Sequence, residues 1–132
     1  NQRAEPVSTR VEFPYERHPA FTYSVVQART PESPRNDTAS VCALDIDTWM
    51  VVWHKYRAGA LQSTHSGSSD FGRCDIASRI SRDSGLSWSE ERIVVESDPE
   101  DNNVQAPALR RLRDDRILLN CLRGHTGGTA AR

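Results

Sequence analysis

The sequence predicts an all-β fold assembled from a repeated antiparallel unit, on three observations. Its ordered-looking segments are short, rich in β-branched and aromatic residues, and separated by turn-forming residues. No segment carries a convincing helical apolar period. The chain also aligns with itself at an offset of about 68 residues.

The elements follow in order. Residues 22–28 read as a strand, broken afterwards by Pro31, Pro34, Asn36 and Asp37. Residues 40–44 and 48–55 read as a hairpin closed by the tight acidic turn Asp45-Ile46-Asp47. The stretch 56–72 is a polar loop, with Ser63, Ser66, Gly67, Ser68 and Ser69 too small and polar to build a core. Residues 74–80 alternate, placing Cys74, Ile76, Ser78 and Ile80 on one face. Residues 88–96 form the next strand, and a last hairpin spans 106–122 through Arg113-Asp114-Asp115.

The self-alignment lays Ala39-Ser40-Val41 on Pro107-Ala108-Leu109, Leu44 on Leu112, and Asp47 on Asp115 without a gap. Trp49-Met50-Val51 then falls on Ile117-Leu118-Leu119, Trp53 on Cys121, and Lys55 on Arg123. Two matching hairpins are therefore separated by the remainder of one four-stranded unit. The run Trp49-Met50-Val51-Val52-Trp53 is continuously apolar, as expected of a strand covered on both faces. Four-stranded sheets repeated radially make a β-propeller, and one unit without its neighbours is expected to be poorly stable.

Composition narrows the function classes. The chain has 132 residues and a net charge of -1, which gives no reason to expect nucleic acid or an anionic membrane surface as partner. Its apolar fraction of 36% is low beside the roughly 45–50% of an average domain, which argues against a large independent core. The longest apolar stretches fall far short of the roughly 18 residues of a membrane span. Cys42, Cys74 and Cys121 are odd in number and widely spaced, so neither a zinc site nor a disulfide framework is legible, and buried strand positions suit them best. The first residue is Asn1, the single methionine is Met50, and no basic-then-apolar leader precedes the first strand-like segment, so either processing removed a start or the sequence is truncated; a secreted or periplasmic location stays open, and oligomeric state is not legible.

Between the third and fourth strands lies Ser81-Arg82-Asp83-Ser84-Gly85-Leu86-Ser87-Trp88. It resembles the Asp-box of sialidases, Ser-x-Asp-x-Gly-x-Thr-Trp, with Ser87 where Thr is more usual. The spacing suits a hairpin turn: Asp83 accepts backbone N–H bonds, Gly85 supplies a positive φ, and Trp88 packs the turn on the sheet. The resemblance covers roughly residues 39–122 and implies part of a six-bladed propeller of the sialidase superfamily. Residues 1–38 would be an entry segment, 39–96 one blade, and 97–132 the start of the next. It also implies that Ser81, Asp83, Gly85, Ser87 and Trp88 are structural, because the box lies on the face opposite the active site. Asp-boxes occur as well in non-catalytic propellers such as the sortilin type.

The resemblance places substrate on the face formed by the region before Ser40, the 56–72 loop, the 97–105 link and the segment from Arg123 onward. It implies that Asp70 is the acid/base carboxyl, with Asp75 as alternative and a solvated loop acid as the competing interpretation. Arg57 would bind a sugar carboxylate or acyl oxygen through its fork, or else cover Tyr56 or Trp53. Arg35 is the nearest arginine to the family's Arg-Ile-Pro position, but no Ile-Pro follows it. His65 is a weaker candidate in the same loop. The tyrosine nucleophile, its glutamate and the other arginines are expected from later blades. The expected function is an exo-α-sialidase-like glycoside hydrolase acting on terminal sugars of glycoconjugates, inactive in this piece alone. The alternative is a propeller that binds glycans or proteins without catalysis. No cofactor or metal is required under either.

Smaller signals add little. Asn36-Asp37-Thr38 is a glycosylation sequon. Arg110, Arg111, Arg113 and Arg116 lack the aromatic platform of a nucleic-acid site. The acidic cluster Asp98, Glu100 and Asp101 lacks the Gly and terminal Glu of a calcium loop and reads as a solvated linker.

Overall fold

The computed structural model describes residues 23–58, 72–99 and 101–125. The described residues form six strands: β1 (Arg35–Ala43), β2 (Trp49–Tyr56), β3 (Cys74–Ser81), β4 (Arg92–Val95), β5 (Asp101–Arg111) and β6 (Ile117–His125). They make a four-stranded antiparallel sheet in the order β1-β2-β3-β4 and a two-stranded sheet of β5 and β6. The fold is all-β, neither sheet closes on itself, and no helix, membrane-spanning or otherwise, occurs among the described residues.

The core explains why the two inner strands of the larger sheet are so apolar. On one face Val52 and Ile76 pack with Val104 of β5, and Met50, Val95, Leu109, Leu119 and Cys121 close around them. On the other face Val51, Trp53 and Ala77 are covered by Val26 and Trp88. With apolar partners on both sides, β2 has no wet face, so alternation disappears from its sequence.

The two hairpins share their irregularities as well as their sequence pattern. In β1 the register shifts between Asp37 and Ser40, with Thr38 at φ 47°. In β5 it shifts between Gln105 and Ala108, with Ala106 at φ 52°. In each case two residues oppose one on the partner strand, the mark of a β-bulge. The turns agree too, since Leu44 N–H donates to Thr48 O at 2.8 Å and Leu112 N–H to Arg116 O at 2.8 Å. These positions correspond at the same offset of about 68 residues found in the sequence.

Four boundaries differ from the sequence reading. The described part of the expected 22–28 strand joins no ladder. It lies on the sheet through side chains: Val26 packs on the core, Gln27 accepts from Arg79, and Ser24 accepts from Trp88. β1 begins at Arg35 and includes Asn36 and Asp37, which had the composition of a break but pair with Lys55 and His54. β4 is shorter than expected, because Ser89 N–H donates to Ile80 O and Ser89 Oγ accepts from Ile80 N–H before the ladder starts at Arg92. β5 begins at Asp101 instead of 106, and the stretch read as linker carries the buried residues Asn103 and Val104.

The 81–88 turn closes the gap between β3 and β4 with its own polar side chains. Ser81 Oγ accepts from Gly85 N–H at 2.7 Å and donates to Asp83 Oδ1 at 2.7 Å. Asp83 Oδ1 also accepts from Ser87 N–H at 2.9 Å, and Asp83 Oδ2 from the Ser87 hydroxyl. Gly85 sits at φ +86°, where a Cβ would lie 3.1 Å from the Trp49 ring, so both backbone and space call for glycine. Ser84 then ties this turn to the β1–β2 turn through Asp47.

Two predictions follow from this architecture. Replacing fully buried Ile76 by Ala should lower stability by about 2–5 kcal/mol, seen as an earlier urea midpoint at unchanged slope. Hydrogen bonds from the Ser87 hydroxyl, the Ser87 amide and the Ser81 hydroxyl hold the Asp83 carboxyl down at about 2. A depressed carboxyl stabilises above its ordinary value near 3.9 and loses that contribution as pH falls through the folded value. The Ser87 amide resonance should therefore titrate near 2 in the folded chain, and a midpoint near 4 would mean that Asp83 does not hold this turn.

Candidate functional site

The register brings β1's start, β2's end, β3's start and β4's end together, at the opposite end of the sheet from the 81–88 turn. Arg35 pairs with Tyr56, Tyr56 with Cys74, and Arg57 N–H donates to Arg73 O at 2.9 Å. Arg35 and Arg57, both singled out from the sequence, are thus gathered at one sheet end. Asp70 and His65 lie outside the described residues.

Each arginine is already engaged by carboxylates. Arg57 donates through Nε to Asp75 and through Nη2 to Glu96 Oε1, the latter at 2.9 Å. Burial works against its cation, but the hydrogen bonds to Glu96 and Asp75 outweigh that and raise its pKa above the ordinary arginine value. Arg35 pairs with Asp37, and its guanidinium lies 4.6 Å above the Tyr56 ring. The Tyr56 hydroxyl is pushed up to about 12 by burial, reinforced by Cys74 and Asp37 and opposed by Arg35 and Gln105. It therefore stays a neutral phenol and is no ready nucleophile.

Asp75 organises this end. Its side chain is fully buried, and Oδ1 accepts from both the amide and the hydroxyl of Ser97 at 2.9 Å. Arg73 grips the same residue from outside, through Nε to Ser97 Oγ at 3.0 Å and Nη2 to Ser97 O at 2.8 Å. Arg123 of β6 adds a bond to Asp98 and one to Glu96 O at 3.4 Å. Arginines from three strand ends thus converge on residues 96–98, where the sequence reading ended a strand at Glu96 and began a link, with Asp98 read as solvated.

A second polar group joins the two sheets nearby. His54 Nδ1 lies 2.9 Å from Asp37 Oδ1, while Nε2 accepts from Ala106 N–H at 2.6 Å. With Nε2 as acceptor, the proton of the neutral ring sits on Nδ1. The positive-φ bulge in β5 turns the Ala106 amide toward this ring.

Sequence reasoning missed Arg73, Glu96, Ser97, Arg123 and the Asp37–His54 pair, and considered Asp75 only as an alternative acid. The available signal was an aspartate next to Cys74 and Ile76 at the start of a strand, which must be paired when buried. No group of three or more potential metal ligands occurs among the described residues.

Asp75→Ala should cost about 3 kcal/mol in urea unfolding, because the Ser97 donors lose their buried acceptor while partly exposed Arg57 recovers water. No family model, curated protein or solved structure matches this chain.

Proposed function

We propose that this chain is part of a sialidase-type β-propeller whose arginine-bearing end faces a glycan, and that the propeller hydrolyses terminal sugars of glycoconjugates. The observation that carries this reading is the 81–88 turn. Its Ser81, Asp83, Gly85 and Ser87 all serve the turn in the way the Asp-box pattern requires, between the third and fourth strands of a four-stranded meander. The duplicated hairpin, with its duplicated bulge, supports repetition of that unit.

In this reading Arg57 and Arg35 address the sugar's acidic group, and Asp70 protonates the glycosidic oxygen and later deprotonates water. The attacking tyrosine and its glutamate come from further repeats. One observation favours the alternative of a propeller that binds glycans or proteins without catalysis: Arg35 and Arg57 are both already paired with carboxylates.

The gene read outward on both sides should encode further Ser-x-Asp-x-Gly-x-Ser/Thr-Trp repeats, together with a tyrosine and a nearby glutamate; their absence removes the propeller. In the protein so encoded, hydrolysis of 4-methylumbelliferyl N-acetylneuraminide should slow by about 100-fold or more on Asp70→Asn. Undiminished turnover would exclude Asp70 from the chemistry. Saturable glycan binding with no product release would favour the non-catalytic propeller.

A further inference from the structure

The ring of His54 is buried between the two sheets and faces one of them with each nitrogen. Nδ1 lies 2.9 Å from Asp37 Oδ1 of β1, and Nε2 accepts from Ala106 N–H of β5 at 2.6 Å. The second bond exists only while the ring is neutral. A backbone N–H can only donate, and an imidazolium carries a proton on both nitrogens, so two donors would then face each other at Nε2.

Protonation therefore acts in opposite senses at the two nitrogens. At Nδ1 it turns a hydrogen bond into an ion pair with Asp37 and tightens the hold on β1. At Nε2 it removes the acceptor of Ala106. Ala106 sits at φ 52°, a region that a residue with a Cβ keeps only where its surroundings impose it. The residue is also exposed, so its amide meets water once the ring releases it.

The other groups at the ring do not offset this change. From β1, Arg35 pairs with Asp37 Oδ2 and leaves Oδ1 to the ring. Tyr56 meets the ring edge-on at 5.9 Å, and Cys74 of β3 pairs with Tyr56. Burial pushes both up to about 12, so neither gains charge where imidazoles titrate. The flanking residues Lys55 and Asp75 are engaged elsewhere, with Glu91 and with Arg57 and Ser97. From β5 comes uncharged Gln105, which bonds to Tyr56.

We propose that His54 is a proton-operated latch between the sheets: when its ring takes a second proton, the bulge at Ala106 lets go of the larger sheet. The rest of the second hairpin stays docked, through Leu109 N–H on Ser40 Oγ and through the apolar cluster around Val52 and Ile76. The latch does not depend on the glycosidase reading.

The test follows the His54 ring nitrogens and the backbone amides of ¹⁵N-labelled chain from about pH 8 to about pH 5. As Nε2 gains its proton, the Ala106 amide should move in step and lose protection from hydrogen exchange by about tenfold or more. Leu109, whose acceptor is a serine hydroxyl, should keep its protection. An Ala106 amide that stays put while Nε2 is protonated overturns the latch, and so does a ring that remains neutral to the end of the titration. Equal loss of protection at Leu109 overturns it as well, because the whole hairpin would then be opening. In His54→Gln the side-chain carbonyl can still accept but does not titrate, so a pH response of Ala106 that persists there would assign the effect to another group and reject His54.

Discussion

The structure depends on β2 and β3 being buried on both faces. Val51, Trp53 and Ala77 need cover on one side, and Val52 and Ile76 on the other. Each large apolar side chain contributes about 1.5–3 kcal/mol only when fully withdrawn from water. The sheet therefore holds together because the 23–34 segment lies on one face and the second hairpin on the other. Asn36 secures the first of these layers, accepting from Trp53 Nε1 at 3.1 Å and from Ser33 Oγ at 3.2 Å. His54 and Ser40 secure the second, through Ala106 N–H and Leu109 N–H.

Two-sided burial pushes polar chemistry to the ends of the strands. The end bearing the 81–88 turn spends its side chains on satisfying its own backbone, with Ser81 Oγ and Asp83 meeting amides that have no ladder partner. The other end gathers charge. Its carboxylates lie at different depths, with the Asp75 side chain fully buried and that of Glu96 68% exposed. Arg57 spans the two.

Much of the fold was legible because it is written in patterns that local physics dictates. The apolar 49–53 run, the turn residues of 81–88 and the offset repetition each reflect burial, backbone freedom or symmetry, which act on neighbouring residues. The strand starts were less legible. Arg35, Asn36 and Asp37 look like loop residues, yet they enter β1 because Lys55, His54 and Trp53 supply partners from across the sheet. Asp101 and Asn103 enter β5 for the same kind of reason, pairing with His125 and Gly124. At the candidate site, residue type marked Arg35 and Arg57, but their carboxylate partners come from other strands at separations that no periodicity records.

The two depths of carboxylate resolve an apparent conflict in the proposed function. An arginine already paired is, at first reading, a poor trap for an anionic sugar. However, exposed ion pairs are worth only about 0–1 kcal/mol, because water and salt compete with them. A ligand carboxylate can therefore replace Glu96 at Arg57 Nη2 for little cost. Asp75 cannot be displaced in the same way, since it is fully buried and also holds Ser97. One carboxylate thus fixes the direction of the guanidinium, and the other occupies the position that an incoming anion would take. Charge balance at this end is compatible with anion capture because its two halves differ in how firmly they are held.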